Sequence, residues 1–519
     1  MDLEDYITNS NECFEINLTR PLKNAPSPEP IFSESFNPTF TYAIFNEKES
    51  IIGYKEPSIQ LDFRANDMKP SLKVGFEEKL EIPEGMLPEE DKVDLVTVFN
   101  GFLPASVMNP AEAPDDAAPT PDPTSRDWTP PGKQLHKVVH HGKQFEVWVA
   151  NLSDPAAKKI WENMQILTLL YIEGASLPEL DADWSLERWS LYFLYEITPI
   201  EEDGSPYTLA GFSTTYRYWV FPSFDIMRAT KSLPSPPAST NGDAGWSPPR
   251  LTQDSKTFLF NEHIDPLEQP SRERISQFLI LPPYQGQSLG ATLYSTIFAD
   301  LSKKPYIFEI PVEDPSEAFD AMRDFSDIVY LRTLPTFKSL TIPTNLPNDK
   351  LAKNAPIPRD EILGNGADLA QLRRDTKIVT RQFNRMLELH LLSTIPSANR
   401  KKARITRKAK STNENDRRYY FWRLALKDRI YRQNRDALEQ LEDAVERVDR
   451  IEMAVDAQQG EYEERLQGLE KRAKWSNGEA QDGSGSRPKR KRAVVDDDEE
   501  DDWEDIDEES VASSKKMKV

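Results

Sequence analysis

The sequence predicts a mixed α+β fold, with a central α/β domain, a mixed N-terminal domain and a helical C-terminal extension. Three observations carry that prediction. Short runs rich in β-branched and aromatic residues recur through residues 13–221. The stretch RISQFLILPPYQGQSLGATLY (274–294) runs from an apolar strand through Pro-Pro and a glycine-bearing loop into a helix. After Leu331 the chain turns helical and charged.

Taken in order, TFTYAIF (39–45), SIIGYK (50–55), SIQLDF (58–63) and LKVGF (72–76) read as strands. A helical pattern follows in EEDKVDLVTVFNGFL (89–103), then a Pro/Ala/Asp loop over 105–131 that cannot build a packed core. QLHKVVHHGKQFEVWVANL (134–152) reads as a hairpin turning at His141-Gly142. The helix that follows has Ser153 as its expected N-cap and Pro155 in its first turn. LERWSLYFLYEIT (186–198) and YTLAGFSTTYRYWVFP (207–222) are antiparallel strand candidates, separated by a second Pro-rich loop (231–255) from the motif at 274–294. Beyond it come a helix over 288–301, the strand YIFEIPV (306–312) and a helix starting near DPSEAF.

One long helix is predicted over 417–474. Leu441, Val448, Val455, Tyr462 and Leu469 fall at heptad d positions, with Glu452 and Gln459 among the a positions. Packing along its own protein and a coiled-coil contact with a partner both fit that seam. The organisation expected is 1–175, 176–330, 331–475 and a disordered tail over 476–519.

Composition narrows the chemistry. Among 519 residues the net charge is −23, which favours a basic protein or peptide partner over nucleic acid. The single cysteine, Cys13, excludes an internal disulfide framework and fits a reducing compartment; the 5 histidines form no ligand cluster, so no metal is expected. No apolar run is long enough to span a membrane, and MDLEDYITNS is unlike a signal peptide, so a soluble intracellular protein is expected.

A strand that feeds a glycine-bearing loop into a helix N-terminus makes an anion site, because unpaired amides and the helix dipole both face the ligand. Gln285, Gly286, Gln287, Ser288, Leu289, Gly290 and Ala291 form such a loop, with Gly286 and Gly290 allowing close approach of the backbone to a phosphate. The dinucleotide fingerprint and the Walker loop are both absent.

QGQSLGA resembles the Arg/Gln-x-x-Gly-x-Gly/Ala loop of GCN5-related N-acetyltransferases. Together with VEDPSEAFDAMRDF (312–325), GYK, ERWSLYFLYE and YRYWVFP in the same order, the chain resembles, more narrowly, the catalytic subunits of type B histone acetyltransferases from about residue 14 to 410. That resemblance implies acetyl-CoA as co-substrate and the tail of newly made, non-nucleosomal histone four as acceptor. It also implies a WD40-type histone-binding chaperone as partner, and residence in nucleus and cytoplasm. It places the general base at Glu313, with Asp314 as helper or second choice, and the pantetheine arm along the backbone of Phe278, Leu279 and Ile280. Ser316 and Phe325 match further cofactor positions. Glu47, Glu49, Trp189, Tyr216, Arg217 and Tyr218 match histone contacts.

The family has Gly at the position of Ser288. A left-handed Ser there costs about 1 kcal/mol, whereas a Ser at the helix N-cap is well placed; the second is the expectation. Asp314 is expected to cap the next helix. Arg217, where the family has a neutral amide, repels a basic tail unless paired. The basic clusters RPKRKR (487–492) and KKMKV (515–519) read as nuclear import signals around an acidic run at 496–509. A histone-binding scaffold with a decayed site, or an acetyltransferase for another lysine, are the rival readings.

Overall fold

The computed structural model describes residues 4–20, 28–82, 88, 91–108, 122–180, 183–200, 204–219, 252, 254–257, 270–352 and 355–476. The import clusters, the acidic run and nearly all of 231–255 lie outside them. Residues up to Gln467 cluster as one compact unit and those from Gly468 as a second.

Among the described residues the N-terminal region contains β1 (Ile7–Asn9), β2 (Phe14–Arg20), β3 (Glu29–Pro30), β4 (Ser50–Ile52), β5 (Tyr54–Lys55), β6 (Ser58–Arg64), β7 (Pro70–Gly75) and β8 (Glu78–Lys79). They form a four-stranded sheet in the order β3-β2-β6-β7 and two strand pairs, β1–β4 and β5–β8. The period-two pattern of β6 buries Ile59, Leu61 and Phe63 completely. TFTYAIF is not a strand. Ile44 and Phe45 do reach the core, but their amides both donate to the Thr41 carbonyl, so the backbone turns instead of extending. Where a helix is expected over 89–103, the described residues contain the 3-10 turn Val98–Gly101 and no α-helix.

The central sheet has six strands: β9 (Lys133–His140), β10 (Lys143–Asn151), β11 (Trp189–Ile197), β12 (Tyr207–Trp219), β13 (Ser271–Ile280) and β14 (Ile307–Glu309), in the order β14-β13-β12-β11-β10-β9. Its neighbours are antiparallel except β13–β14, which run parallel. The β9–β10 turn lies where expected, with His141 at φ 50° and Gly142 at φ 77°, the left-handed pair a two-residue hairpin loop needs. β11 is covered on both faces: the Tyr192 hydroxyl donates to Asp300 and the Tyr195 hydroxyl to the Asn66 carbonyl. Part of the 105–131 segment is packed after all. Trp128 is buried edge-on against Tyr195 and Tyr207, and Asn66 donates to the Pro123 carbonyl.

The helices that matter below are α1 (Pro155–Met164), α2 (Leu289–Ser302), α3 (Glu317–Leu331), α4 (Thr380–Ser393), α5 (Glu414–Gln433) and α6 (Ala444–Ser476). The N-cap of α1 is Asp154 rather than Ser153, since its carboxylate accepts from the Ala156 amide with Pro155 at the first helical position. α2 buries Leu293, Tyr294, Ile297, Phe298 and Leu301, one helical face.

The long C-terminal helix is broken. α5 ends at Gln433, Asn434 leaves helical geometry at ψ 21°, and the chain passes a short helix, Arg435–Glu439, before α6 begins. The buried seam of α6 faces its own protein. Tyr462 donates to the buried Glu388 carboxylate and packs on Trp422, while Gln459 accepts from Tyr419 and Arg423. The polar residues that spoil the heptad pattern are therefore members of an internal hydrogen-bond network.

His390, on α4, packs on Phe337 with the rings 4.9 Å apart and tilted, and the Arg332 guanidinium lies 3.4 Å from its Nδ1. Burial, with the Arg332 charge adding to it, pushes its pKa down to about 4. The unfolded chain takes up this proton near pH 6.5 while the folded one refuses it, so stability falls as pH drops from about 6.5 towards 4. His390→Gln is expected to shrink the loss of melting temperature between pH 7 and pH 5. An unchanged difference would show that His390 does not contribute.

Candidate active site

The site is built where β14 leaves β13. The two strands stay in contact through Ile275, whose amide donates to Pro311 and whose carbonyl accepts from the Glu313 amide at 2.9 Å. Then Asp314, at φ 29°, turns the chain away into α3. The helix cap is Ser316, whose hydroxyl accepts from the Phe319 amide at 3.2 Å. Asp314 is thus the turn residue and not the cap that the sequence suggested.

On its other side β13 carries a bulge. Ser276 and Gln277 together oppose Thr214, and the Gln277 amide donates to the Thr214 hydroxyl at 3.1 Å. The extra residue reverses which backbone groups face which neighbour. Before it, Ile275 bonds towards β14; after it, the Leu281 amide bonds back to the Ala210 carbonyl near the start of β12. By strand alternation Leu279 faces β12, while the N–H groups of Phe278 and Ile280 aim into the wedge that β14 has vacated. The Ile280 carbonyl confirms that direction by accepting from the Gln285 side chain at 2.8 Å. The Ser276 hydroxyl is buried with no hydrogen-bond partner.

The wedge ends at the glycine loop. Gly286 has φ 73° and open space where a Cβ would sit. Ser288 is the N-cap of α2, as expected, but at φ 60° and ψ 9° it is also left-handed, and its hydroxyl caps no amide. Both alternatives for this residue hold together, and the favourable half of the N-cap argument is lost. The first-turn amides of α2 are left without a side-chain cap, which suits an anionic group. Gly290 serves packing rather than backbone freedom, because a Cβ there would lie 3.0 Å from Met322 Sδ on α3. Relieving the left-handed serine, Ser288→Gly is expected to stabilise by about 1 kcal/mol and raise the melting temperature by about 1–2 °C. A lower melting temperature would refute that account.

A second group of predicted residues meets on one face of the sheet. Trp189, Tyr216 and Arg274 are direct cross-strand neighbours on β11, β12 and β13. The Trp189 and Tyr216 rings lie 4.8 Å apart, and Arg274 Nη1 reaches Glu313 Oε1 at 3.0 Å. Tyr218 lies one repeat along the same face, 6.0 Å under the Arg274 guanidinium. The aromatic strip and the carboxylate expected from sequence thus form one row, with Arg274 as the link that sequence reasoning missed. Arg188, 4.6 Å over the Tyr216 ring, was missed as well. No local signal marks either arginine.

Arg217 points to the opposite face. It pairs with the buried Glu273 at 3.2 Å and donates to the Tyr306 hydroxyl at 2.9 Å, so its charge is met within the protein. Glu47 and Glu49 are not joined to this row by any described contact; they lie beside β4. Glu47 is exposed, and the Glu49 carboxylate accepts from the Thr41 amide and the Asn11 side chain. Phe325 is half-buried on α3. Among the described residues no group of three or more His, Cys, Asp or Glu side chains converges as a metal site, and no helix is long and apolar enough to cross a membrane.

Residues 6–173 match the family model described as "Histone acetyl transferase HAT1 N-terminus". The chain is 34% identical over 472 residues to the "Histone acetyltransferase type B catalytic subunit" of Aspergillus oryzae, covering 88% of this chain and 85% of that one. It is 34% identical over 462 residues to the protein of that name from Gibberella zeae, covering 87% and 88%. The likeness to the Neurospora crassa protein of the same name is 31% over 538 aligned residues, covering 99% and 98%.

Proposed function

The chain belongs to the family of type B histone acetyltransferase catalytic subunits and is a histone acetyltransferase, and from that premise we propose that it acetylates a tail lysine of newly synthesised, non-nucleosomal histone four by direct attack in a ternary complex, with Glu313 as general base. The observation that supports this most is the row Trp189–Tyr216–Arg274–Glu313 beside the freed edge of β13.

Acetyl-CoA, when bound, supplies an activated thioester carbonyl. The residues present suit it. The Phe278 and Ile280 amides are placed to bond an extended arm as another strand would, and one of them can polarise a carbonyl oxygen. Gln285–Ala291 offers a close-approach glycine and uncapped helix amides to the phosphates.

A free lysine has a pKa of ~10.4, so about one in a few thousand is neutral near pH 7. Glu313 is to take the ammonium proton. Arg274 holds the carboxylate at Oε1, while the aromatic faces of Trp189, Tyr216 and Tyr218 line the aliphatic stem. Asp314 acts as the turn that brings Glu313 to β13. A WD40-type histone-binding chaperone as partner, and residence in nucleus and cytoplasm, belong to the same reading.

The test is mass-spectrometric. The full chain with acetyl-CoA and a histone-four tail peptide is expected to yield peptide acetylated on lysine. Peptide that binds and stays unmodified would sink the acceptor assignment.

A further inference from the structure

The surroundings of α6 change along its length. Val455, Tyr462 and Leu466 are buried in its seam, yet the same seam is exposed about two and three turns before Val455, Val448 by 57% and Val445 by 64%. Val448 and Ile451 join Leu424 and Tyr431 of α5, with Ile357, to line a groove of about 310 Å³. Its polar lining is Lys427, Glu452 and Asp428. The first two answer each other, and Arg423 adds a second cation to Glu452 at 2.9 Å.

Asp428 is different. Its side chain is 11% exposed and faces one cation, the 65% exposed Arg432, whose Nε donates to Oδ1 at 3.1 Å and lies 3.0 Å from Oδ2, and that buried Oδ2 accepts no hydrogen bond. The adjoining chain adds Asp436, Glu439, Glu442, Asp443, Glu446 and Asp449 against Arg435, Arg447 and Arg450. An apolar slot with a carboxylate held by a single exposed arginine and an acidic border fits apolar side chains flanked by Lys or Arg.

We propose that this groove docks a basic amphipathic segment of the histone substrate outside the acetylated tail, so that the C-terminal helices hold the acceptor protein while its tail reaches Glu313. The inference rests on the reading of the acceptor given above. A second copy of the chain is the competing occupant, and its own acidic border would face itself there.

Steady-state acetylation of two acceptors, a histone-four tail peptide and full-length histone four, separates these ideas. Val448→Glu is expected to raise KM for the full-length histone about five-fold or more, with kcat and all peptide parameters unchanged. The added negative charge by itself favours a basic partner, so a rise in KM reports the lost apolar contact. Met453→Glu, at a position 67% exposed on the same helix but outside the groove, is expected to change neither acceptor. Equal KM values for full-length histone in wild type and Val448→Glu would overturn the proposal. So would a light-scattering mass of two chains that Val448→Glu reduces to one. Failure of wild type on both acceptors would bring down the acceptor reading and this inference with it, a result distinct from retained peptide turnover.

Discussion

Glu313→Gln is expected to lower kcat on a histone-four tail peptide by about two orders of magnitude or more at pH 7, with the KM for acetyl-CoA unchanged. The substitution keeps the shape and the polar contact to Arg274 but removes the group proposed to accept the ammonium proton. A purely structural loss would be independent of pH. A missing base is not, because raising pH deprotonates the free amine in solution and substitutes for it. The rate of the variant should therefore climb about ten-fold per pH unit below pH ~10.4, over the range where the protein stays folded. A variant within about three-fold of wild type at pH 7, or one whose deficit is the same at every pH, would remove Glu313 from the mechanism.

The largest effect on stability is expected at Arg385. Its Nε lies 3.0 and 2.9 Å from the two oxygens of Asp324, its Nη2 lies 2.8 Å from Oδ2, and it also contacts Glu461 on α6. Asp324 is 1% exposed and sits on α3, the helix that begins just after the candidate base. Arg385→Met would strand that carboxylate away from water, and breaking a buried pair from one side costs about 3–5 kcal/mol. The Gln382 amide at 3.1 Å and Arg465 at 3.5 Å remain to solvate Asp324, which argues for the lower end, about 3 kcal/mol. Asp324→Leu combined with Arg385→Met should recover much of the loss, since no buried charge is then left alone. Denaturant midpoints for the two single variants and the double variant check this. A double variant as unstable as the sum of the singles would show that the pair is not the cause.

Local chemistry made much of the fold legible. Strand-type composition marked β6, β11 and β12, His141-Gly142 marked the hairpin, and the run at 274–294 marked the strand, loop and helix start found there. The misreadings have physical causes. TFTYAIF has strand composition, but it buries Ile44 and Phe45 from a turn. The 417–474 helix has continuous helix-forming residues, yet Asn434 interrupts it. Ser288 could be weighed for either backbone state, and only the packed loop imposed both at once.

By itself the sequence determined which residue types were available at the site: an apolar strand, glycines at a helix start, a Glu-Asp-Pro corner and an aromatic strip. Tertiary structure decided how they meet. The bulge at Ser276–Gln277 turns the Phe278 and Ile280 amides outward, a reversal set by pairing with β12 that no single strand encodes. The Arg274–Glu313 pair forms because β13 and β14 run parallel and part just after Ile275. Arg217 is met by Glu273 because cross-strand register places them opposite one another. Residue identity is local, whereas register, strand direction and the point at which two strands part are properties of the assembled sheet.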